Sequence, residues 1–481
     1  MKDKFRYVEK DNRKKILLLC DDIRMHSGIA TMAREIVIGT SHHFNWINLA
    51  AAIKHPEQGQ AFDISAEVNR LNGIEDSDVL VIPNSGYGDA MLVRGLIGQY
   101  KPDAIMIFTD PRYWSWLFEI ERELRNNIPL LYLNIWDDYP TPLYNKAYYE
   151  SCDLLMSISK QTKNINEIVL KDVAENKVLK YVPHGINEEQ FFPITPTDER
   201  YPALQEFKKN LFQGKDIEFV AFWNSRNIRR KSPGDVILAY RLFCDRIGQE
   251  KASKCALVMH TQAVDENGTD LNAVREALCD ESYMNVFFSQ ERLDTAHMNL
   301  LYNISDVSML ISSNEGWGLS LTEAMMAGKM IIANVTGGMQ DQMRFEDENG
   351  KWIEFTSDFP SNHRGTYKEC GEWAVPVFPS NISLVGSVPT PYIFDDRCSP
   401  DDVASALEEV HSLGKEERNR KGLLAREWVT SDESGMSARK MGENVIEAID
   451  TTFEQFTPRS RFELHKVTDR PKKVITHKLI Y

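Results

Sequence analysis

The sequence predicts an α/β protein built from two doubly wound domains that face each other across a cleft. Three observations predict it. Short apolar runs, fully so at residues 16–20 and 79–83 and of the same pattern at 104–109, 130–136 and 154–157, have the length and composition of strands buried in a parallel sheet. Patterns of helical period lie between them; Ile29, Met32, Ala33, Ile36 and Val37, for example, share one helix face. A second series of apolar runs, at 218–223, 255–260, 285–288, 307–311 and 329–333, follows a stretch at 188–215 that is rich in Pro, Glu, Asp and Lys and lacks clear periodicity.

Taken in order, the first domain is read as residues 1–190. Its opening strand runs into the turn Arg24-Met25-His26-Ser27-Gly28-Ile29-Ala30 and then into the helix just described. The aperiodic stretch serves as a connection, and the second domain covers 191–430. Helices are expected there at 232–243, 294–302 and 320–327. Residues 345–395, with Trp352, Trp373 and several prolines, read as an irregular insertion, and 401–413 as a helix. A helix at 435–456, within a segment 431–456, and a basic tail at 457–481 follow.

Composition bounds the function. The 481 residues are 42% hydrophobic and 26% charged, which excludes disorder or a fibre as the main state. No apolar run approaches the ~18–20 residues of a membrane helix, and residues 1–15 lack the apolar core of a signal peptide. The seven cysteines include no Cys-x-x-Cys pair, and the 11 histidines no His-x-x-x-His spacing. Neither a disulfide framework nor a metal site is expected, and the chain reads as a reduced, cytoplasmic protein. Asp76-Ser77-Asp78 looks like a metal-binding pair but precedes a strand, on the side away from a cleft. The net charge of −15 argues against nucleic acid as a general partner. The ends differ: residues 1–15 carry seven basic and three acidic side chains, and 457–481 seven basic and two acidic. Solvated ends and a local anchor for a polyanion both fit that pattern.

In doubly wound sheets ligands bind beyond the carboxyl ends of strands, and the informative motifs fall there. Ser312-Ser313-Asn314-Glu315-Gly316-Trp317-Gly318-Leu319-Ser320-Leu321-Thr322-Glu323 follows an apolar strand and opens a helix. Its glycines allow close backbone approach, and the helix start offers free N–H groups to an anion. Ser320-x-x-Glu323 also reads as a capping box, whereas Glu315, in the loop among glycines, has no evident structural task. Trp223-Asn224-Ser225-Arg226-Asn227-Ile228-Arg229-Arg230-Lys231-Ser232-Pro233 gathers four cations just ahead of a helix, with Ser232 as its expected cap and Pro233 as its first residue. Cations are unfavourable at a helix N-terminus unless an anion such as a diphosphate sits among them. The alternative is a solvated basic loop.

Arg226 with Lys231, then Glu315 and Glu323 with seven residues between them, then Gly337-Gly338-x-x-Asp341 resemble the retaining glycosyltransferases of family four, the group 1 glycosyl transferases. Tyr181-Val182-Pro183-His184-Gly185-Ile186-Asn187 resembles that family's turn into the second domain, and Asp153-Leu154-Leu155-Met156-Ser157-Ile158-Ser159 its "Asp-x-hydrophobic-Ser" segment. The resemblance spans most of 15–450 and implies the GT-B fold of two Rossmann-like domains, the first on the acceptor side and the second binding a nucleotide sugar. It implies a nucleoside-diphosphate sugar as co-substrate, with no cofactor and no metal. It assigns Arg226 and Lys231 to the donor diphosphate, Glu315 to the donor sugar and Glu323 to the ribose. Gly28, Asn314, Gly316, Trp317, Gly318 and Leu319 would line the donor, and the helix at 435–456 would cross back to the first domain.

Where that family often has a cleft histidine, this sequence has Ile135-Trp136-Asp137-Asp138-Tyr139-Pro140. The acceptor side is expected at Asp110, Arg112, Trp136, Asp137 and Asp138, among many aromatic residues. Residues 21–37 and 108–164 look similar to glycosyltransferases of large tailed phages. That likeness implies hydroxymethylated cytosine in phage DNA as acceptor, the basic ends touching phosphates, and the host cytoplasm as location. A saccharide, lipid-linked or protein acceptor is the alternative. A different class, a GT-B nucleotide-sugar epimerase or a non-catalytic nucleotide-sugar-binding protein, matches the paired cations and carboxylates less well.

Overall fold

The first domain assembles around β1 (Lys14–Asp21). Residues 16–20 of that strand are at most 1% exposed, and every position can be apolar because the strand lies mid-sheet with both faces covered. In the computed structural model, which describes residues 4–460, eight strands form this sheet. They are β1, β2 (Phe44–Ala51), β3 (Phe62–Asp63), β4 (Val79–Pro83), β5 (Ala104–Phe108), β6 (Leu130–Asn134), β7 (Leu154–Ser157) and β8 (Val178–Tyr181), in the order β3-β4-β2-β1-β5-β6-β7-β8. All pair in parallel except β3 with β4. The strand order reverses at β1, so the turn after it and the helix Gly28–Thr40 stand at the switch point.

The second sheet holds β9 (Phe219–Asn224), β10 (Cys255–His260), β11 (Asn285–Ser289), β12 (Val307–Leu310), β13 (Met330–Asn334) and β14 (Ala374–Val377). Its order is β11-β10-β9-β12-β13-β14, parallel throughout, and it reverses between β9 and β12. The α/β reading with two doubly wound sheets thus holds.

Three local expectations need correction. Residues 188–215 are not merely a connection: Tyr201–Leu211 is a helix, hidden in the sequence because Leu204 is the residue it buries. Residues 345–395 are not wholly irregular. They contain β14, disguised by Pro376, which the sheet tolerates because β14 is an edge strand. They also contain most of an antiparallel hairpin, β15 (Asn381–Ser387) and β16 (Thr390–Arg397). Finally, a charged helix, Gly414–Thr430, lies between the two C-terminal helices that the periodicity indicates.

The hairpin leaves the second domain and reaches the first. Tyr144 Oη donates to Tyr392 O at 2.9 Å, Phe394 N–H to Tyr139 O at 2.7 Å, and an Arg112 N–H to Pro389 O at 2.6 Å. The helix Ala438–Gln455 also lies on the first domain, against the helix Gly28–Thr40, β7 and β8. A Cβ on Gly442 would stand 3.1 Å from Gly39 O, so glycine permits this approach. The chain passes between the domains twice, and the passages are bonded to each other: Ile186 N–H donates to Met436 O and Ala438 N–H to Ile186 O, both at 3.0 Å.

Several of the basic N-terminal side chains are held in ion pairs. Arg6 meets Asp450 at 2.9 Å, Arg13 Asp76 at 2.7 Å and Lys14 Asp103 at 3.2 Å. Asp76 and Asp103 precede β4 and β5, so the latter two pairs sit at the strand ends opposite the cleft. Of the basic tail, Arg459 pairs with Glu121 at 3.0 Å; residues 1–3 and the tail from 461 onward lie outside the described residues.

Candidate active site

A cavity of about 700 Å³ opens between the carboxyl ends of the two sheets. The first domain contributes Ser27, Gly28, Ile29, Ile135, Asp137, Asp138, Ile158 and His184. The second contributes Asn224, Ser225, Arg230, Lys231, Leu310, residues 314–320, Glu323 and, from the hairpin, Ile393. A cavity of similar size, about 720 Å³, lies at the other end of the first sheet, but its Arg125 and Arg459 are bonded to its own Glu121 and Asp153.

The loop after β12 is shaped by close contacts. Gly318, at φ 90°, adopts a left-handed conformation that favours glycine and starts the helix Leu319–Met326. A Cβ on Gly316 would come within 3.0 Å of Ile135 O, so this loop approaches the first domain as a glycine can. Gly337 and Gly338 support it from behind: Gly338 N–H donates to Glu315 O at 3.0 Å, and a Cβ on Gly337 would run into that carbonyl. Asp341 does not reach the cavity. It accepts from Lys160 N–H at 2.9 Å and Tyr181 Oη at 3.0 Å, joining the domains, and burial pushes its carboxyl up to about 7.

Glu315 accepts from Lys231 Nζ and from Arg230 at 3.2 Å, while Arg230 also donates to Asn314 O at 2.7 Å. Burial alone would raise the Glu315 carboxyl; Lys231 and Arg230 outweigh it and hold the carboxyl below its ordinary value. Burial lowers the Lys231 ammonium despite Glu315. Arg226 is elsewhere. It is 64% exposed, bonded to Asp265 at 2.9 Å, and edges a smaller cavity of about 400 Å³ at the ends of β9–β11. The cation beside Lys231 is therefore Arg230 in place of Arg226. Residues Arg229–Lys231 form a 3-10 turn and Ser232 takes φ 52°, which turns Arg230 and Lys231 inward. In that conformation Ser232 makes no side-chain cap, although Pro233 does begin the helix.

Glu323 is not a capping-box residue either, because Gly318 is the cap and Ser320 lies inside the helix. Glu323 instead accepts from the Tyr302 hydroxyl, and burial pushes its carboxyl up to about 7. The rings of Trp317 and Trp136 are core. Trp317 is 2% exposed, with its indole N–H on Thr322 at 2.9 Å, and Trp136 donates to Asp138 O at 3.0 Å.

The acceptor-side residues divide. Asp137 and Asp138 line the cavity, while Asp110 and Arg112 bond to each other outside it, and Arg112 continues to the hairpin. Asn314 ties the two domains, donating to Asp138 Oδ1 and to Phe394 O. Burial raises both aspartate carboxyls, against Arg230 for Asp137 and reinforced by Asp137 for Asp138.

Sequence reasoning passed over His184. It is 6% exposed, lines the cavity, and its Nδ1 meets no described hydrogen-bond partner. Burial pushes it down to about 3, so the ring is neutral. It stood within the quoted inter-domain turn, where only its polarity in an apolar setting could have marked it. Among the described residues, no group of three or more His, Cys, Asp or Glu is arranged to hold a metal, and no helix is long and apolar enough to cross a membrane.

A family profile described as "Glycosyl transferases group 1" matches residues 218–359. No curated protein matches the sequence. Solved structures match over almost their whole length. A glycosyltransferase from Rickettsia africae superposes with a TM-score of 0.60 at 14% identity, covering 92% of this chain and 99% of that one. Sucrose-phosphate synthase from Thermosynechococcus elongatus gives 0.63 at 15%, covering 92% and 100%. Anabaena HepE, solved with UDP and glucose, gives 0.61 at 12%, covering 91% and 100%. The fold is that of GT-B glycosyltransferases, and with the matched second domain it indicates that this chain is a glycosyltransferase.

Proposed function

We propose that the protein moves a sugar from a nucleoside-diphosphate sugar to an acceptor hydroxyl, with retention of configuration. The observation that carries this reading is the Lys231–Arg230–Glu315 cluster above the N-terminus of the helix Leu319–Met326, in a cavity between two domains. A diphosphate there meets two cations and free helix N–H groups. Glu323, steadied by Tyr302, accepts from ribose hydroxyls, and Glu315, released from Lys231 by the diphosphate, turns to the donor sugar. The base extends towards the smaller cavity, which shares Asn224 and Ser225 with the main one. The acceptor oxygen bonds to the anomeric carbon as the bond to the diphosphate oxygen breaks. The acceptor proton passes to that oxygen, whose growing charge Lys231 and Arg230 stabilise.

For the acceptor we favour a saccharide hydroxyl over hydroxymethylated cytosine in DNA. Three of the N-terminal cations expected on phosphates, Arg6, Arg13 and Lys14, are paired with Asp450, Asp76 and Asp103, and the cavity's first-domain wall is acidic. Thiols at all seven cysteines, six of them buried, support a reducing, cytoplasmic setting. The test is a panel of nucleotide sugars with saccharides and with hydroxymethylcytosine DNA, followed by mass spectrometry. The expected result is a glycosylated saccharide and a free nucleoside diphosphate. Glycosylated DNA alone would reverse the acceptor assignment, and no diphosphate release with any pair would remove the transferase reading.

A further inference from the structure

We infer, resting on the transferase reading above, that the acceptor is a neutral polyhydroxy compound, with no phosphate on it, seated between the Asp137–Asp138 pair and Ile393 of the hairpin. The charges of the cavity point there. Among the described residues lining it, the cations are Arg230 and Lys231, and both stand on the donor side. Glu315 already engages them, and a donor diphosphate consumes what positive charge remains.

The opposite wall has no cation to offer. Arg112, on the loop after β5, is bonded to Asp110 at 2.8 Å, and Arg24, on the loop after β1, to Asp22 and Glu57 at 2.7 and 2.8 Å. What that wall presents is a crowded acidic pair, Asp138 driven towards its protonated form while Arg230 favours the charged form of Asp137. Hydroxyl groups pair with a carboxylate or a carboxylic acid, whereas a phosphate meets the remaining negative charge with no cation on that wall to offset it. His184 supplies the second observation: a buried, neutral ring that lines the same cavity and adds no charge to it. Neutral imidazole suits a hydroxyl as donor or acceptor.

The hairpin makes this wall selective. Asn314 joins Asp138 to Phe394, so the carboxylate and the hairpin are fixed to each other. The Tyr144 hydroxyl bond to Tyr392 O, 2.9 Å, holds the hairpin down across the domain boundary. Ile393 thereby reaches the cavity and gives an apolar surface beside the carboxylates, as the faces of a sugar ring require.

The experiment first finds the donor by nucleoside-diphosphate release, then compares glucose, fructose and maltose with glucose 6-phosphate and fructose 6-phosphate as acceptors, for the intact full chain. Transfer to a neutral sugar is expected to exceed transfer to its 6-phosphate at least tenfold. Asp137→Asn should raise the phosphorylated-to-neutral ratio about fivefold or more. Tyr144→Phe should raise the acceptor KM several-fold while leaving donor hydrolysis unchanged. Preference for the 6-phosphates, donor hydrolysis with no transfer to any neutral sugar, or an unchanged ratio in a folded Asp137→Asn variant would each overturn the inference while leaving donor chemistry standing. Absence of diphosphate release from every donor would instead bring down the transferase reading and this inference with it. Thermal melting of each variant separates misfolding from lost selectivity.

Discussion

The two walls of the cavity solve opposite electrostatic problems. The donor wall pairs unlike charges: Glu315 with Lys231 and Arg230, close enough that the two cations outweigh the burial of the carboxylate. The acceptor wall crowds like charges: Asp137 beside Asp138, both buried, both driven towards their protonated forms. A wall of matched charges is ready for a ligand that exchanges one anion for another. A wall of crowded carboxyls is ready for a ligand that donates hydrogen bonds. The first resembles sites for phosphate compounds, the second sites for sugars.

Substitutions can break this contrast. Lys231→Ala should have the largest effect, a fall in turnover of ~10²–10³ for both transfer and donor hydrolysis, because it removes positive charge from the leaving group. A loss confined to transfer would move Lys231 to the acceptor half. Gly337→Ala comes next. It adds a side chain at φ 52° and drives it into the Glu315 carbonyl, so stability should fall by ~2–3 kcal/mol, read as a lower Tm.

Arg230→Ala should lower donor turnover about tenfold, with Arg226→Ala within about threefold of the parent, since only Arg230 shares Glu315 with Lys231. The reverse ranking would restore Arg226 as the diphosphate ligand. The smallest effect is on pH. The Glu323 carboxyl, pushed up to about 7, ionises as pH rises through that value, and ribose hydroxyls need its ionised form. Donor KM should therefore fall several-fold from pH 6 to 8, and Glu323→Gln should flatten the profile. The empty protein should show the opposite trend in stability. The folded carboxyl holds its proton above the ordinary value of 4.5, so the stability it contributes at low pH is lost as pH rises towards 7.

Much of the fold was legible because buried parallel strands carry continuous apolar runs. The run at 255–260 is β10, and 79–83 and 154–157 are β4 and β7. β2 escaped notice because Asn45 and Asn48 interrupt its apolar pattern; Asn48 is in fact 1% exposed and accepts from Ile23 N–H at 3.2 Å, fixing the turn after β1. Tertiary hydrogen bonding of this kind leaves no periodicity to read. At the site, the loop residues 314–319 and the cations near 230 could be found because glycines and a basic quartet are conspicuous. Which arginine turns inward could not, since that depends on the φ of Ser232 and on Asp265, 39 positions from Arg226. His184 was hidden for a related reason: only the packing of Phe108 and Trp317 around it makes it a lone polar group.

The paired backbone passages at Ile186 and Met436–Ala438 have a mechanical consequence. Two strands of chain stitched side by side resist torsion more than bending. If the halves part to admit a nucleotide, they swing as a door does on two adjacent pins, about one line, and the mouth farthest from that line opens widest. The hairpin's tie to Tyr144 is one of the contacts such a swing would have to release, with those of Asp341 to Lys160 and Tyr181.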